Sequence, residues 1–421
     1  MESDQRRTRT RDIVALCVVL AVGAFLRLPS PLFSTNGGPL RALGALHPAP
    51  GFQNVGFDEG LYRGYVEYLI QHSVTSYPEI AELFVEVQSN LPSAILPPTR
   101  FLYIFTSYLW HVLSGADALT SLHNISSLFG VLMLCVATLF AWRLGGLRIA
   151  ICIAALMSCA PTQIHMSQHA LIDGFFAFWA TLSVWLLWEN LRKPGDLRWL
   201  VGLGAALALL VLTKENAMFV YIGLLGLLCM NYPLHFGTIT KGLLATMVLG
   251  PLVGVTILVN LCGSLETTYR IYTLLVSKAS VLPYAIATGD GPWYRYLVDL
   301  MIMSPVVLVL AIGGIFQLKL SQKAPLFLLT FVAASYLLMA NVRYGMNLRY
   351  ANIWDMPLRY FATLCLINVS DLRVSRANLW LGLMIAAVCV IELRQYLIFF
   401  VEHDLYELVT GGLLHAVKIL K

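Results

Sequence analysis

The sequence predicts an all-α polytopic membrane protein of about eleven transmembrane helices, with a long first outer loop that contains juxtamembrane helices. Its 421 residues are 58% hydrophobic and only 12% charged, whereas a soluble protein carries about 25% charged residues. A soluble core could not bury that much apolar surface, so lipid is its natural solvent. The length of the apolar runs and the placement of the basic residues between them support the same fold class.

A spanning helix needs about 20 mainly apolar residues, and the chain contains a series of runs near that length. The runs are 12–28, 119–142, 147–164, 170–189, 198–213, 217–232, 241–262, 296–317, 324–340, 354–369 and 378–400. The first run follows a basic N-terminus, ends at Arg27 and Pro29, and is not followed by a small-residue cleavage site. It therefore predicts an uncleaved first span and not a signal peptide.

One further apolar run, 99–114, is shorter and carries Arg100 and His111. If this run spanned the membrane, the basic N-terminus would lie on the opposite side from all the later basic connectors. If the run lies in the interface, every basic connector falls on the cytoplasmic side, as the positive-inside rule requires. The sequence therefore predicts a cytoplasmic N-terminus and an outer loop at 29–118.

Two polar stretches in that loop, 57–72 and 78–89, are compatible with helices. We expect one membrane domain over residues 1–400, followed by a short outer tail at 401–421. The expected location is the plasma membrane, which in a bacterium is the inner membrane, with the site facing outward.

The net charge of +5 is spread along the chain, which does not indicate a nucleic-acid partner. The eight cysteines lie mostly inside apolar runs, without a CxxC pair or zinc-finger spacing. They are interpreted as small buried hydrophobic residues.

Ionisable groups inside or at the ends of spans are energetically unfavourable, so each is a functional candidate. Most of them lie at the predicted outer end, whereas the cytoplasmic connectors contain mainly solvated lysine and arginine. This asymmetry favours a site at the outer leaflet over a transporter with a midplane site. The outer candidates are Asp58, Glu59, Arg100, His165, His169, Asp173, Lys214, Glu215, Arg343, Arg349, Asp355 and Arg359.

The acidic candidates can be interpreted in two ways. Asp58 and Glu59 begin a predicted helix on which Asp58, Tyr62 and Tyr65 share one face. A carboxylate there can take a proton from an acceptor hydroxyl as a general base, or the pair can simply complement the helix dipole. Asp173 heads a later span as a second acid of the site or as a helix cap.

The basic candidates suit a phosphate. Lys214 ends a span in a polar notch, where it binds an anion or snorkels to the interface. Arg343 and Arg349 are each followed by a tyrosine, the second being Tyr350. Guanidinium groups bind phosphate through two hydrogen bonds, and tyrosines stack on sugars. Arg100, directly after two prolines, is expected at headgroup depth.

The histidines His165 and His169 have the i, i+4 spacing of half a metal site. No HExxH motif accompanies them. They are therefore interpreted as interfacial histidines.

The order of these motifs resembles the GT-C glycosyltransferases, and within them the protein O-mannosyltransferase and aminoarabinose transferase group, glycosyltransferase family 39. The similarity runs over about residues 10–370 and rests on short motifs whose order and topology make them specific. It implies a GT-C-like bundle, a polyprenyl-phosphate sugar donor, an acceptor protein, lipid or glycan, and transfer with inversion at the outer face.

The resemblance also implies roles for individual residues. Asp58 matches the first-loop catalytic aspartate and Asp173 matches the second acidic position, so Asp58 and Asp173 are the predicted catalytic residues. Lys214 and Arg349 match basic positions associated with the lipid phosphate, to which Arg100 is added. The predicted substrate-binding set is Glu59, Tyr62, Arg100, Lys214, Arg343, Arg349 and Tyr350.

Two departures from the family pattern leave the acceptor and the metal open. The aminoarabinose transferases place Arg-Tyr after the acids, where this chain has Leu61-Tyr62-Arg63, and Glu-Lys before a proline, where it has Leu96-Pro97-Pro98. A divalent metal bound through such a glutamate stays an open cofactor, and no other cofactor is predicted. The alternatives to a transferase are a transporter or flippase of lipid-linked saccharides and a non-catalytic membrane assembly factor.

Overall fold

The computed structural model describes residues 2–51, 55–92, 94–281, 291–342, 346–372 and 376–419, and regular structure in these ranges is helical. The first ten helices are α1 (Glu2–Leu26), α2 (Phe57–His72), α3 (Tyr77–Asn90), α4 (Phe101–Ser114), α5 (Ala118–Gly145), α6 (Leu147–Ser158), α7 (Pro161–Gln168), α8 (Ile172–Arg192), α9 (Leu197–Val211) and α10 (Ala217–Leu234). They are followed by α11 (Lys241–Leu261), α12 (Leu265–Val281), α13 (Arg295–Met303), α14 (Pro305–Phe316), α15 (Lys323–Met339), α16 (Asp355–Asp371), α17 (Ala377–Tyr396) and α18 (Thr410–Ala416). A 3-10 helix, Leu348–Trp354, precedes α16.

Each predicted apolar run coincides with one helix or with a bent pair of helices, so the prediction of an all-α membrane bundle is confirmed. Within the described ranges, four segments are long and apolar enough to cross a membrane alone: α5, α10, α11 and α17 with its extension to Glu402. The number rises to six if the pairs α6/α7, bent by 58°, and α13/α14, bent by 120°, each count as one span. The larger count of about eleven spans stays a prediction.

The predicted helices of the first loop are present as α2 and α3, and the run 99–114 forms α4. Apolar side chains of these three helices pack with α5 and α12 in a second hydrophobic core, separate from the main one. The backbone of α4 is tied to the end of α9, because the Leu102 N–H donates to the Leu212 carbonyl at 2.8 Å. The loop is therefore a folded layer over one end of the bundle, and it holds α2 against the spans.

Buried Arg27 satisfies the ends of two helices. Its guanidinium donates to the Gly23 carbonyl in α1 and to the Met157 and Ser158 carbonyls at the end of α6. The last carbonyls of a helix have no partner within the helix, and a broken span exposes them inside the bundle. A single arginine thus stabilises the break between α6 and α7.

Two of the predicted functional candidates, Asp355 and Arg359, belong to a buried cluster of charged side chains. Arg359 donates to Asp355 at 2.8 Å and to Glu392 at 2.5 Å, and all three side chains are almost fully buried. Asp355 also accepts from Thr162 in α7, and Glu392 accepts from Ser304 at the bend between α13 and α14. These charges hold the bent helices together, so we assign Asp355 and Arg359 a structural role.

Glycines allow α9 and α11 to pack closely. A Cβ at Gly254 would lie 2.6 Å from the Ala208 carbonyl oxygen, and one at Gly250 would lie 3.0 Å from the Gly204 carbonyl oxygen. Small residues four apart on both helices let the two backbones approach, as is common between membrane helices.

We predict that Gly254→Ala destabilises the bundle by about 1–3 kcal/mol, because the methyl group meets backbone that cannot move alone. Gly382 lies at an open position of α17, with no heavy atom within 4 Å of an added Cβ. Gly382→Ala is the control, and it should leave stability unchanged or raise it by up to about 1 kcal/mol. Thermal unfolding of the two variants in detergent measures the difference, and equal melting temperatures would contradict the prediction.

Candidate active site

The N-terminus of α2 brings Asp58 to an arginine from the far end of the chain. Asp58 and Glu59 lie in the first turn of α2, where acidic groups complement the helix dipole. The Arg349 Nη1 donates to Asp58 Oδ2 at 3.0 Å, across 291 residues of sequence. The Arg349 backbone is fixed in turn, because its N–H donates to Asn347 Oδ1 at the start of the 3-10 helix.

Asp173 and Lys214 form a buried ion pair beside this contact. Asp173 lies in the first turn of α8, and Lys214 lies in the turn between α9 and α10. The Lys214 Nζ donates to Asp173 Oδ1 at 2.7 Å, and its ammonium lies 4.2 Å from the ring centroid of Tyr350. Arg349 Nη1 is 3.9 Å from Asp173 Oδ2. Asp58, Arg349, Asp173, Lys214 and Tyr350 therefore form one continuous cluster.

Arg100 is held by Glu215 and Tyr62. Its Nε and Nη2 donate to the two Glu215 oxygens at 3.2 and 2.5 Å, and its Nη1 donates to the Tyr62 hydroxyl at 2.5 Å. Burial alone would raise the pKa of the Glu215 carboxyl, but the charges of Arg100 and Lys214 outweigh it and lower this pKa. The Glu215 carboxylate is partly exposed and is the present counterion of Arg100.

Glu59, predicted to bind substrate, is enclosed by the protein. Its Oε2 accepts from the Gly56 N–H and its Oε1 from the Ala170 N–H, both at 2.6 Å, and the side chain is fully buried. His169 Nδ1 and His123 Nε2 lie 3.3 and 3.5 Å from Oε1. We therefore assign Glu59 to anchoring α2 on the break between α7 and α8.

The contacts of Glu59 shift its acidity. Burial alone would raise the pKa of this carboxyl, but the hydrogen bond from His169, the charges of the two histidines and the Gly56 N–H together lower it. A lowered pKa means that the folded state favours the charged form.

The described residues do not include three or more histidine, cysteine or carboxylate side chains arranged to hold a metal ion. The ring of His165, half of the predicted i, i+4 pair, stacks on Phe400 with centroids 4.1 Å apart. The part of the chain that the structure describes therefore supplies no ligand set for a divalent metal. The metal dependence of the protein stays an open question.

The C-terminal tail contributes two site residues that the sequence did not single out. Arg349 Nη2 donates to Glu407 Oε1 at 3.1 Å, and Asn347 Nδ2 donates to Glu407 Oε2 at 2.7 Å. The Tyr406 ring centroid lies 5.7 Å from the Arg349 guanidinium carbon. No motif or spacing marks these positions. The tail follows the last apolar run, so the search for charges within or between spans did not select them. Arg343, by contrast, lies outside the described residues.

An apolar cavity of about 310 Å³ opens next to the charged cluster. Its walls are Leu207, Leu210, Val211, Ala217, Met218, Tyr221, Pro251 and Tyr272. Lys214 and Glu215 line it where α9 meets α10. The cavity therefore connects an apolar surface with a charged centre.

Comparison with solved structures identifies the architecture. ArnT from Cupriavidus metallidurans in the apo state matches with a TM-score of 0.53 at 13% identity, covering 98% of this chain and 76% of that one. The same protein bound to undecaprenyl phosphate gives 0.52 at 14% identity, covering 97% and 74%. The apo oligosaccharyltransferase of Archaeoglobus fulgidus gives 0.62 at 14% identity, covering 92% of this chain and 55% of that one. The chain has the GT-C fold.

Residues 118–282 match the family model described as dolichyl-phosphate-mannose-protein mannosyltransferase. No curated protein matches the sequence. The resemblance predicted from the order of the motifs is thus confirmed.

We predict that Glu59→Gln lowers stability by about 1–3 kcal/mol, because one amide oxygen cannot satisfy both the Gly56 and Ala170 N–H groups. Glu67 on the same helix forms only an exposed pair with Arg63. Glu67→Gln is the control and should change stability by less than about 0.5 kcal/mol. Thermal unfolding in detergent at neutral pH compares them, and an equally stable E59Q would argue against the anchoring role.

The same variant has a pH signature. Because the folded-state pKa of Glu59 lies below its ordinary value of 4.5, the stabilisation is complete above that value and is lost as pH falls through the lowered pKa. The decline in melting temperature below about pH 4.5 should therefore be shallower in E59Q than in the wild type. Parallel declines would contradict the assignment.

Proposed function

We propose that this protein is an inverting glycosyltransferase that moves a sugar from a polyprenyl-phosphate donor to an acceptor at the outer face of the membrane. One observation carries the proposal. The acidic pair Asp58 and Asp173 and the basic pair Lys214 and Arg349, which lie far apart in sequence, interlock beside an apolar cavity. The family model over residues 118–282 supports the same activity.

The cavity and its charged end fit the two parts of a lipid phosphate. The apolar walls between α9, α10 and α11 suit the first isoprene units, and Lys214 lies where the phosphate would follow. Charge-assisted hydrogen bonds to phosphate are among the stronger polar contacts that a protein makes. The match to ArnT bound to undecaprenyl phosphate supports this donor class.

The proposed reaction is a single displacement at the anomeric carbon. The acceptor oxygen forms a bond to that carbon while the bond from the carbon to the phosphate oxygen breaks, so the configuration inverts. The acceptor proton passes to Asp58, which acts as general base, through the oxygen that does not hold Arg349. The phosphate leaves with the bonding electrons, and Lys214 and Arg349 stabilise its charge.

In this scheme, Asp173 is a positioning residue. It holds the Lys214 ammonium at 2.7 Å and lies within 3.9 Å of Arg349. Arg100 is assigned to the edge of the phosphate site, where it acts together with Glu215 and Tyr62. Tyr350, under the Lys214 ammonium, is assigned to the sugar.

We predict that Asp58→Asn lowers transfer from a polyprenyl-phosphate sugar by about 10²–10⁴-fold, the usual contribution of a general base. Purified protein in detergent, supplied with a panel of polyprenyl-phosphate sugars and acceptors and read by mass spectrometry, gives the rate. Product formation in detergent distinguishes a transferase from a flippase, since there is no membrane to cross. Repeating the assay with a chelator measures metal dependence.

The control is Glu86→Gln, which alters an exposed carboxylate of α3 and should transfer at the wild-type rate. If D58N were as active as E86Q, the assignment of Asp58 as the base would be wrong.

A second prediction tests the cavity. Met218 and Val201 are both exposed on apolar helices, but Met218 lines the cavity that ends at Lys214, whereas Val201 lines a separate one between α9 and α11. Met218→Trp should raise the KM for the lipid-linked donor about tenfold or more, since a side chain would occupy the space of the isoprene chain. Val201→Trp, the matched control, should leave KM unchanged, and equal values for both variants would place the lipid elsewhere.

A further inference from the structure

The tail beyond α17 is fixed onto the rest of the fold at several points. The Leu348 N–H donates to the Leu408 carbonyl at 3.1 Å, and Arg295 Nε donates to the Thr410 hydroxyl at 3.0 Å. Leu408 and Leu413 are fully buried in the main core. The backbone between these contacts is therefore held in place, and its side chains point to fixed positions.

Two of those side chains, Tyr406 and Glu407, lie next to Arg349, which pairs with Asp58. The Tyr406 ring packs against Gly56, where an added Cβ would overlap the ring atoms. Glu407 reaches the opposite edge of the Arg349 guanidinium, 3.1 Å from Nη2. The tail thus contacts both the start of α2 and the arginine that holds Asp58.

We propose that Glu407 is a positioning residue, which orients Arg349 and through it Asp58; this inference rests on the proposed function. The guanidinium is planar, so its two terminal nitrogens cannot be oriented independently. Glu407 fixes Nη2, and Nη1 is then directed at Asp58 Oδ2. Asn347 fixes Glu407 in turn through its second oxygen.

Arg349 needs a residue that orients it, because Asp173 competes with Asp58 for the guanidinium. Asp173 Oδ2 lies 3.9 Å from the same Nη1 that contacts Asp58, so two carboxylates compete for one nitrogen. Without the charge of Glu407, the guanidinium can rotate to present both nitrogens to Asp173, the geometry in which an arginine binds a carboxylate best. Asp58 would then lose its contact and its orientation. Glu407 therefore determines whether Arg349 binds the carboxylate of Asp58 or that of Asp173.

The test is Glu407→Gln, compared with Glu402→Gln, an exposed glutamate of the same segment. We expect kcat of E407Q to fall about tenfold or more, because misorientation of a reacting group by a fraction of an ångström has effects of this size. The donor KM should stay within twofold of the wild type, since the cavity and Lys214 are untouched and Arg349 is assigned to the charge that develops on the phosphate as it leaves. A merely structural role would instead lower the melting temperature and kcat and raise the donor KM together.

Glu407→Asp keeps the charge but shortens its reach, so its kcat should fall between those of the wild type and E407Q. It also supplies the test if E407Q is not recovered folded, and wild-type kcat in E407D would then overturn the inference. Wild-type kcat in a folded E407Q would overturn it directly and leave the proposed function standing. Absence of transfer by the wild-type protein from every donor in the panel would instead remove the proposed function.

Discussion

The buried ion pair between Asp173 and Lys214 is the interaction on which the site depends. Two charges withdrawn from water are tolerated only when they neutralise each other at short range with good geometry. Their separation of 2.7 Å meets that condition, and it fixes the head of α8 to the turn between α9 and α10. Arg349 contacts both Asp58 and Asp173 and so extends the cluster. Each further charge is thus neutralised by a residue of opposite charge that the cluster already contains.

Much of the fold could be predicted because membrane insertion imposes a length on apolar runs. Each run found in the sequence coincides with a helix or a bent pair. The bends were not predicted, because the length criterion treats each apolar run as one span. Pro161 and Pro305, which begin the second helix of each bent pair, are the sequence signal for these breaks. The partners that stabilise a bend, such as Arg27 for the end of α6 and Glu392 for Ser304 at the end of α13, come from distant segments.

The site was predictable for a different reason. A charge at the end of an apolar span requires an explanation, and this criterion brought forward Asp58, Asp173, Lys214 and Arg349. It could not separate the charges that gather in this cluster from charges paired elsewhere in the fold, as Glu59 and Arg359 show. It also could not identify Glu407, because a glutamate in a polar tail is unremarkable until the fold places it beside an arginine.

The sequence distance between Asp58 and Arg349 has a consequence for biosynthesis. A chain emerging from the ribosome carries the first acid through most of its synthesis before the arginine and the tail that complete the cluster exist. Until then the early carboxylates must remain in water or be held by other charges, because an unpaired charge is not stable within the bundle. The charged cluster therefore cannot be completed until Arg349 and Glu407 have been synthesised.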